Sequence, residues 1–155
     1  MTPSEYQNPI LCADYSDPDI VRVGDDFFMV SSSFNHVPAL PILHSTDLVN
    51  WTIINHVMDE LPLPGYDRYQ PGKGVWAPSI RWHDGKLWVC FSTPDEGIFI
   101  CHTEDPWGEW SAPHCLREAR GWIDPCPFWD DNGQAWLVHA FAHSRSGIKH
   151  KLQLF

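Results

Sequence analysis

Apolar residues along this chain fall into short runs that alternate with polar positions and stop at Gly, Pro, Asp or Asn, and nowhere do they sustain helical spacing. The pattern predicts an all-β protein. Three segments open on a residue followed by proline and run into a strand: Asp17-Pro18-Asp19-Ile20-Val21-Arg22, Ala77-Pro78-Ser79-Ile80-Arg81-Trp82 and Asp124-Pro125-Cys126-Pro127-Phe128-Trp129. Each leads through a glycine turn at Gly24, Gly85 or Gly133 to a second strand: Phe27-Phe28-Met29-Val30, Leu87-Trp88-Val89-Cys90 or Ala135-Trp136-Leu137-Val138. These are three hairpins in register.

A later element also recurs, because His44-Ser45-Thr46-Asp47-Leu48-Val49-Asn50-Trp51 aligns with His102-Thr103-Glu104-Asp105-Pro106-Trp107-Gly108-Glu109-Trp110. It supplies third and fourth strands. The repeats lie 60 and then 47 residues apart, which is the period of a four-stranded β-propeller blade. Counted this way, residues 1–155 hold two complete blades and the first hairpin of a third, about two and a half in all. Propellers close with roughly 4 to 8 blades, so the expectation is one structural unit, incomplete, that belongs to a longer protein or needs a partner.

Composition narrows the partners. The 155 residues carry 20 acids against 10 Lys and Arg, a formal charge of −10 that repels nucleic acid and anionic membranes. No apolar run reaches the 18 or so residues of a membrane-spanning helix, and the N-terminus reads as free of a secretory leader, so the expected location is cytoplasmic. Cys12, Cys90, Cys101, Cys115 and Cys126 form no Cys-x-x-Cys pair and read as small buried apolar residues. His36, His44, His56, His83, His102, His114, His139, His143 and His150 are scattered without metal-ligand spacing, so no metal and no cofactor is expected; His139 and His143 lie close enough to the third hairpin to face a channel.

In a propeller the first strand of each blade lines the central channel, so equivalent strand starts converge on one mouth. Asp17 and Asp124 hold that position in the first and third repeats, and Ala77 holds it in the second. Two carboxylates in one pocket suit acid–base work, since crowding and desolvation separate their pKa values. An Asp before Pro also starts turns for structural reasons, yet the shared register favours the functional reading. Phe34 and Trp76, near the inner-strand ends, are candidate walls for a sugar ring, whereas Trp82, Trp88, Trp129 and Trp136 within strands are expected in the core.

Asn8-Pro9-Ile10-Leu11, Tyr15-Ser16-Asp17-Pro18-Asp19, Gly74-Val75-Trp76-Ala77-Pro78-Ser79, Thr93-Pro94-Asp95-Glu96-Gly97 and Gly121-Trp122-Ile123-Asp124-Pro125-Cys126-Pro127-Phe128 together resemble glycoside hydrolase family 43, most closely its β-xylosidase and α-L-arabinofuranosidase branch. The resemblance implies a five-bladed propeller that hydrolyses terminal xylosyl or arabinofuranosyl residues with inversion. It implies Asp17 as general base, Asp124 as the residue that tunes and orients the general acid, and Phe34, Trp76 and Ala77 as the sugar subsite. The family's general acid is a Glu that follows the third repeat, and no Glu follows Glu118 here. Two other readings stand beside this one: an inactive fragment or half-propeller completed by separately encoded blades or by a homo-oligomer, and a propeller that binds xylo- or arabino-oligosaccharides without hydrolysis.

Overall fold

A computed structural model describes residues 5–35, 37–149 and 151–155. Strands β1 (Asp19–Val23), β2 (Asp26–Val30), β3 (Ala39–Ser45) and β4 (Thr52–Met58) form one antiparallel meander. A second follows, from β5 (Trp76–His83), β6 (Lys86–Thr93), β7 (Gly97–Thr103) and β8 (His114–Glu118). A third contains β9 (Trp122–Trp129), β10 (Ala135–Phe141) and, after a one-turn helix α1 (His143–Ser146), the short β11 (Leu152–Leu154). The all-β expectation and the repeat register both hold, because β1 begins just after its residue-proline pair and β5 and β9 carry theirs within their first four residues. The β5–β6 hairpin closes on Asp84-Gly85, both at positive φ, the geometry a two-residue turn needs to match strand twist.

Burial explains how the sheets sit. The middle strand β6 is buried on both faces almost throughout, whereas β1 alternates and the outer strand β8 is largely exposed. Sheets stacked face to face produce that gradient. Phe28, Val30, Ile42, Ile80, Val89 and Phe91 form the core between the first two sheets, and Cys90, Ile98 and Leu137 join the second to the third. His83 stacks on Trp129 at 4.2 Å and Trp88 approaches the same ring, so aromatics fill the outer part of the second interface. Trp82, at 43% exposure, and Trp136, on the outer face of the third sheet, depart from expectation and lie outside the core, because alternation along a strand does not say whether the sheet face is covered.

The inner strands are also tied by polar groups. Asp19 Oδ2 accepts the Ile80 N–H at 2.9 Å and Arg81 Nη1 at 2.5 Å, while Arg81 Nη2 donates to Cys126 Sγ at 2.8 Å. One guanidinium therefore links all three inner strands. Prolines at positions 78, 125 and 127 remove ladder donors only on sheet-edge strands, where no ladder needs them. On the far side of the third sheet, register places Phe128, Trp136, Leu152 and Leu154 on one face, and among the described residues no further sheet covers it. Leu152 is 73% and Leu154 53% exposed.

Asp19→Ala leaves the Ile80 amide and the Arg81 guanidinium without their shared acceptor inside a half-buried interface. Loss of hydrogen bonds from a charged group predicts a destabilisation of about 2–3 kcal/mol, read as a lower urea midpoint at unchanged slope.

Candidate functional site

Asp17, Ala77 and Asp124 all adopt positive φ, at 51°, 28° and 54°. Each precedes a proline, whose ring disfavours compact backbone conformations in the residue before it. The pairing explains the geometry. Ser79 pairs with Cys90 and Trp76 with Ser92, so Ala77 and Pro78 together oppose Phe91 alone; likewise Asp124 and Pro125 oppose His139. In the first sheet Asp19 pairs with Val30 and the Ser32 amide donates to the Ser16 carbonyl, leaving Asp17 and Pro18 opposite Ser31. The repeat thus contains a β-bulge, three times at one place, and bulges re-aim the side chain they carry.

Two buried serines hold the bulges together. Ser32 Oγ donates to Asp17 Oδ2 at 2.8 Å and accepts the Ala77 N–H at 2.9 Å, coupling the first sheet to the second. Ser79 Oγ donates to the Pro125 carbonyl at 2.7 Å, coupling the second to the third beside Asp124. As a result Asp17 and Asp124 meet at one mouth. Asp124 keeps an exposed edge, yet the walls around it strip enough water from its carboxyl to raise the pKa, and the Asp17 charge adds to that shift.

The aromatic candidates are brought together as well. Phe34 and Trp76 stand edge to face at 6.0 Å, and Ala77 lies half-buried next to Trp76. Gly74 is required here, since a Cβ on it would sit 2.4 Å from the Ser33 carbonyl oxygen. That close approach lets the Ser33–Val75 bridge set Phe34 beside the strand that begins with Trp76.

Sequence reasoning missed the group that fastens this mouth. Asp95, in the β6–β7 turn, takes Arg120 Nε at 3.2 Å and Arg145 Nε at 3.3 Å on one oxygen and Lys73 Nζ at 3.5 Å on the other. Lys73 precedes the strand of Trp76, Arg120 precedes the strand of Asp124, and Arg145 belongs to α1. The Arg145 guanidinium also lies 5.9 Å over the Trp76 ring. Interactions between loops this far apart leave no periodic trace; the only signal was Asp95 inside the resembling segment Thr93–Gly97.

The histidines take other roles. His139 is fully buried under Trp122, stacked at 3.9 Å, and does not face the channel; His143 is exposed at the start of α1. His36 and His150 lie outside the described residues. Cys90 and Cys101 are buried as expected and Cys115 and Cys126 partly so, whereas Cys12, before the first strand, is exposed, contrary to expectation. Burial pushes the Cys101 thiol up to about 12. Among the described residues no group of three or more His, Cys, Asp or Glu is placed to hold a metal ion, and no helix is long and apolar enough to cross a membrane.

Comparison with known proteins fits this architecture. The chain is 42% identical over 137 residues to a xylosidase/arabinosidase of Butyrivibrio fibrisolvens, covering 84% of this chain and 26% of the relative. It is 38% identical over 140 residues to a beta-xylosidase of Formosa agariphila, covering 86% and 24%. The crystal structure of a GH43_12 protein retrieved from capybara gut metagenome superposes with a TM-score of 0.81 at 35% identity, over 95% of this chain and 29% of that one. The chain spans about a quarter of the length of the curated relatives it matches. Its three sheets are about two and a half blades of the family's five-bladed β-propeller. The family model for glycosyl hydrolases family 43 matches residues 6–154, and the chain belongs to that family.

Proposed function

We propose that this chain is the N-terminal part of an inverting glycoside hydrolase that removes terminal β-D-xylosyl or α-L-arabinofuranosyl residues from plant-derived oligosaccharides. One observation carries the reading: Asp17 and Asp124, distant in sequence, meet beside the Phe34–Trp76 wall with Asp124 held above its ordinary pKa. Asp17, oriented by Ser32, takes a proton from the water that attacks the anomeric carbon. Phe34 and Trp76 seat the sugar ring against their faces, and Ala77 leaves room beside them. Inversion needs a carboxylic acid on the opposite side of the sugar, roughly 6.5–9.5 Å from the base. In this reading a Glu from blades beyond Phe155 is that acid, and Asp124 sets its pKa and orientation.

A second reading draws on the open face of Phe128, Trp136, Leu152 and Leu154. Here the further blades are a separately encoded chain that docks on this face. The intact mass of the native protein separates the two, since the first requires a product well above 17.8 kDa and the second a co-purifying partner.

The complete protein releases pentose whose first-formed anomer, read by proton NMR, is inverted relative to the substrate. Asp17→Ala lowers kcat by roughly 10²–10⁴ while substrate binding persists, and wild-type turnover in that variant defeats the assignment. Asp17→Asn removes the charge that disfavours ionised Asp124, so the Asp124 pKa falls in a carbon-detected NMR titration. The raised pKa means the folded state binds this proton more tightly than the unfolded chain does. Stability therefore declines as pH rises from the ordinary carboxylate value through the raised one, and less steeply in Asp17→Asn.

A further inference from the structure

The turn between β6 and β7 is three residues, Pro94-Asp95-Glu96, and three connections at the mouth meet on it. The first is the seventeen-residue β4–β5 connection (59–75), whose Tyr66 Oη donates to Glu96 Oε2 at 2.9 Å and whose Lys73 pairs with Asp95. The second is its counterpart after β8, the three residues 119–121. There the Ala119 N–H donates to the Glu96 carbonyl at 3.1 Å, the Gly121 N–H to the Pro94 carbonyl at 2.8 Å, and Arg120 pairs with Asp95. The third is α1, which supplies Arg145 and whose cap residue Ala142 donates its N–H to the Gly121 carbonyl at 2.8 Å.

The repeat does not require this arrangement. In the first sheet the equivalent β2–β3 connection (31–38) has eight residues, contains no acid and carries Phe34 instead. Stability does not require it either. The Arg120 side chain is 67% exposed, and ion pairs open to water contribute little to folding, while apolar side chains fill the sheet interfaces. Three cations drawn to one carboxylate also repel one another, and two of them share a single oxygen.

What the three cations have in common is the group to which each leads. Lys73 lies three residues before Trp76, Arg120 four residues before Asp124, and the Arg145 guanidinium stands 5.9 Å over the Trp76 ring. Trp76 begins the second sheet and Asp124 belongs to the third, so no strand ladder sets the distance between them. The Ser79–Pro125 bond fixes the backbones at the bulges themselves. Asp95 fixes the segments that lead into them, and it does so from one point.

We propose that Asp95 is a positioning residue of the hydrolase: by gathering Lys73, Arg120 and Arg145 it holds the Trp76 wall and Asp124 in one fixed relation. The proposal rests on the hydrolase reading and deepens it. Without Asp95 a sugar still reaches the wall, but wall and carboxylate move independently, and misplacement by about 1 Å costs on the order of 10²-fold in rate. The loss therefore falls on kcat rather than on KM.

The test uses the complete protein with methyl β-D-xylopyranoside and methyl α-L-arabinofuranoside. For whichever is cleaved, Asp95→Asn is expected to lower kcat about tenfold or more with KM within about threefold, and Asp95→Glu, which keeps the charge, to recover most of the loss. Hydrogen exchange followed by mass spectrometry gives a readout apart from turnover. Segments 66–75, 119–121 and 142–147 are expected to exchange faster together in Asp95→Asn, while β6 and β10 stay as protected as in the unaltered protein. Unchanged kcat in Asp95→Asn overturns the proposal, as does faster exchange that spreads through β6 and β10, which marks a general loss of stability. If the unaltered protein cleaves neither pentoside, the hydrolase reading fails separately and exchange still decides for Asp95. Joint loosening of the three segments supports its positioning role, and unchanged exchange overturns it.

Discussion

Positive φ at Asp17, Ala77 and Asp124, each the residue before a proline, is the constraint on which the channel mouth depends. Such backbone costs on the order of 1–3 kcal/mol per residue and persists only where the surroundings over-determine it. Here the surroundings are two buried serines and the inner-strand ladders. Asp accepts positive φ more readily than most residues, so the positions that bring carboxylates together are also those where an Asp costs least. Ala77 shows that the conformation belongs to the repeat rather than to the carboxylate.

Around that strained rim the packing is ordinary and redundant. Central strands are buried on both faces, apolar clusters fill both sheet interfaces, and the Asp19–Arg81 pair ties the inner edges. The rim is therefore held by a scaffold whose stability comes from elsewhere, as positioned carboxylates require. The proposed chemistry and the stability occupy different layers of the same blades.

Much of this was legible in the residues themselves. Alternation, glycine turns and the thrice-repeated residue-proline start located the inner strands, because each reflects local geometry that every blade must satisfy. The same register pointed to Asp17 and Asp124, and the aromatic pair Phe34 and Trp76 followed from its position. What stayed hidden depended on contacts between distant loops. Asp95 gathers cations from three connections, Ser32 bridges two sheets, and the length of segment 59–75 acquires meaning only beside the three-residue link that replaces it later. The expectation for Trp82 failed for a related reason, since which face of a blade is covered depends on the neighbour and not on the strand.

Asp95 has a further consequence. The blades are held by apolar burial, which salt leaves intact or strengthens, whereas the loops of the mouth converge on a single carboxylate shared by three cations. With Arg120 and Lys73 partly open to water, those attractions weaken as the screening length shrinks from about 10 Å at 0.1 M salt to about 3 Å at 1 M. Ionic strength thus acts on the two layers in opposite directions. In brine the mouth loosens while the propeller beneath it stays folded.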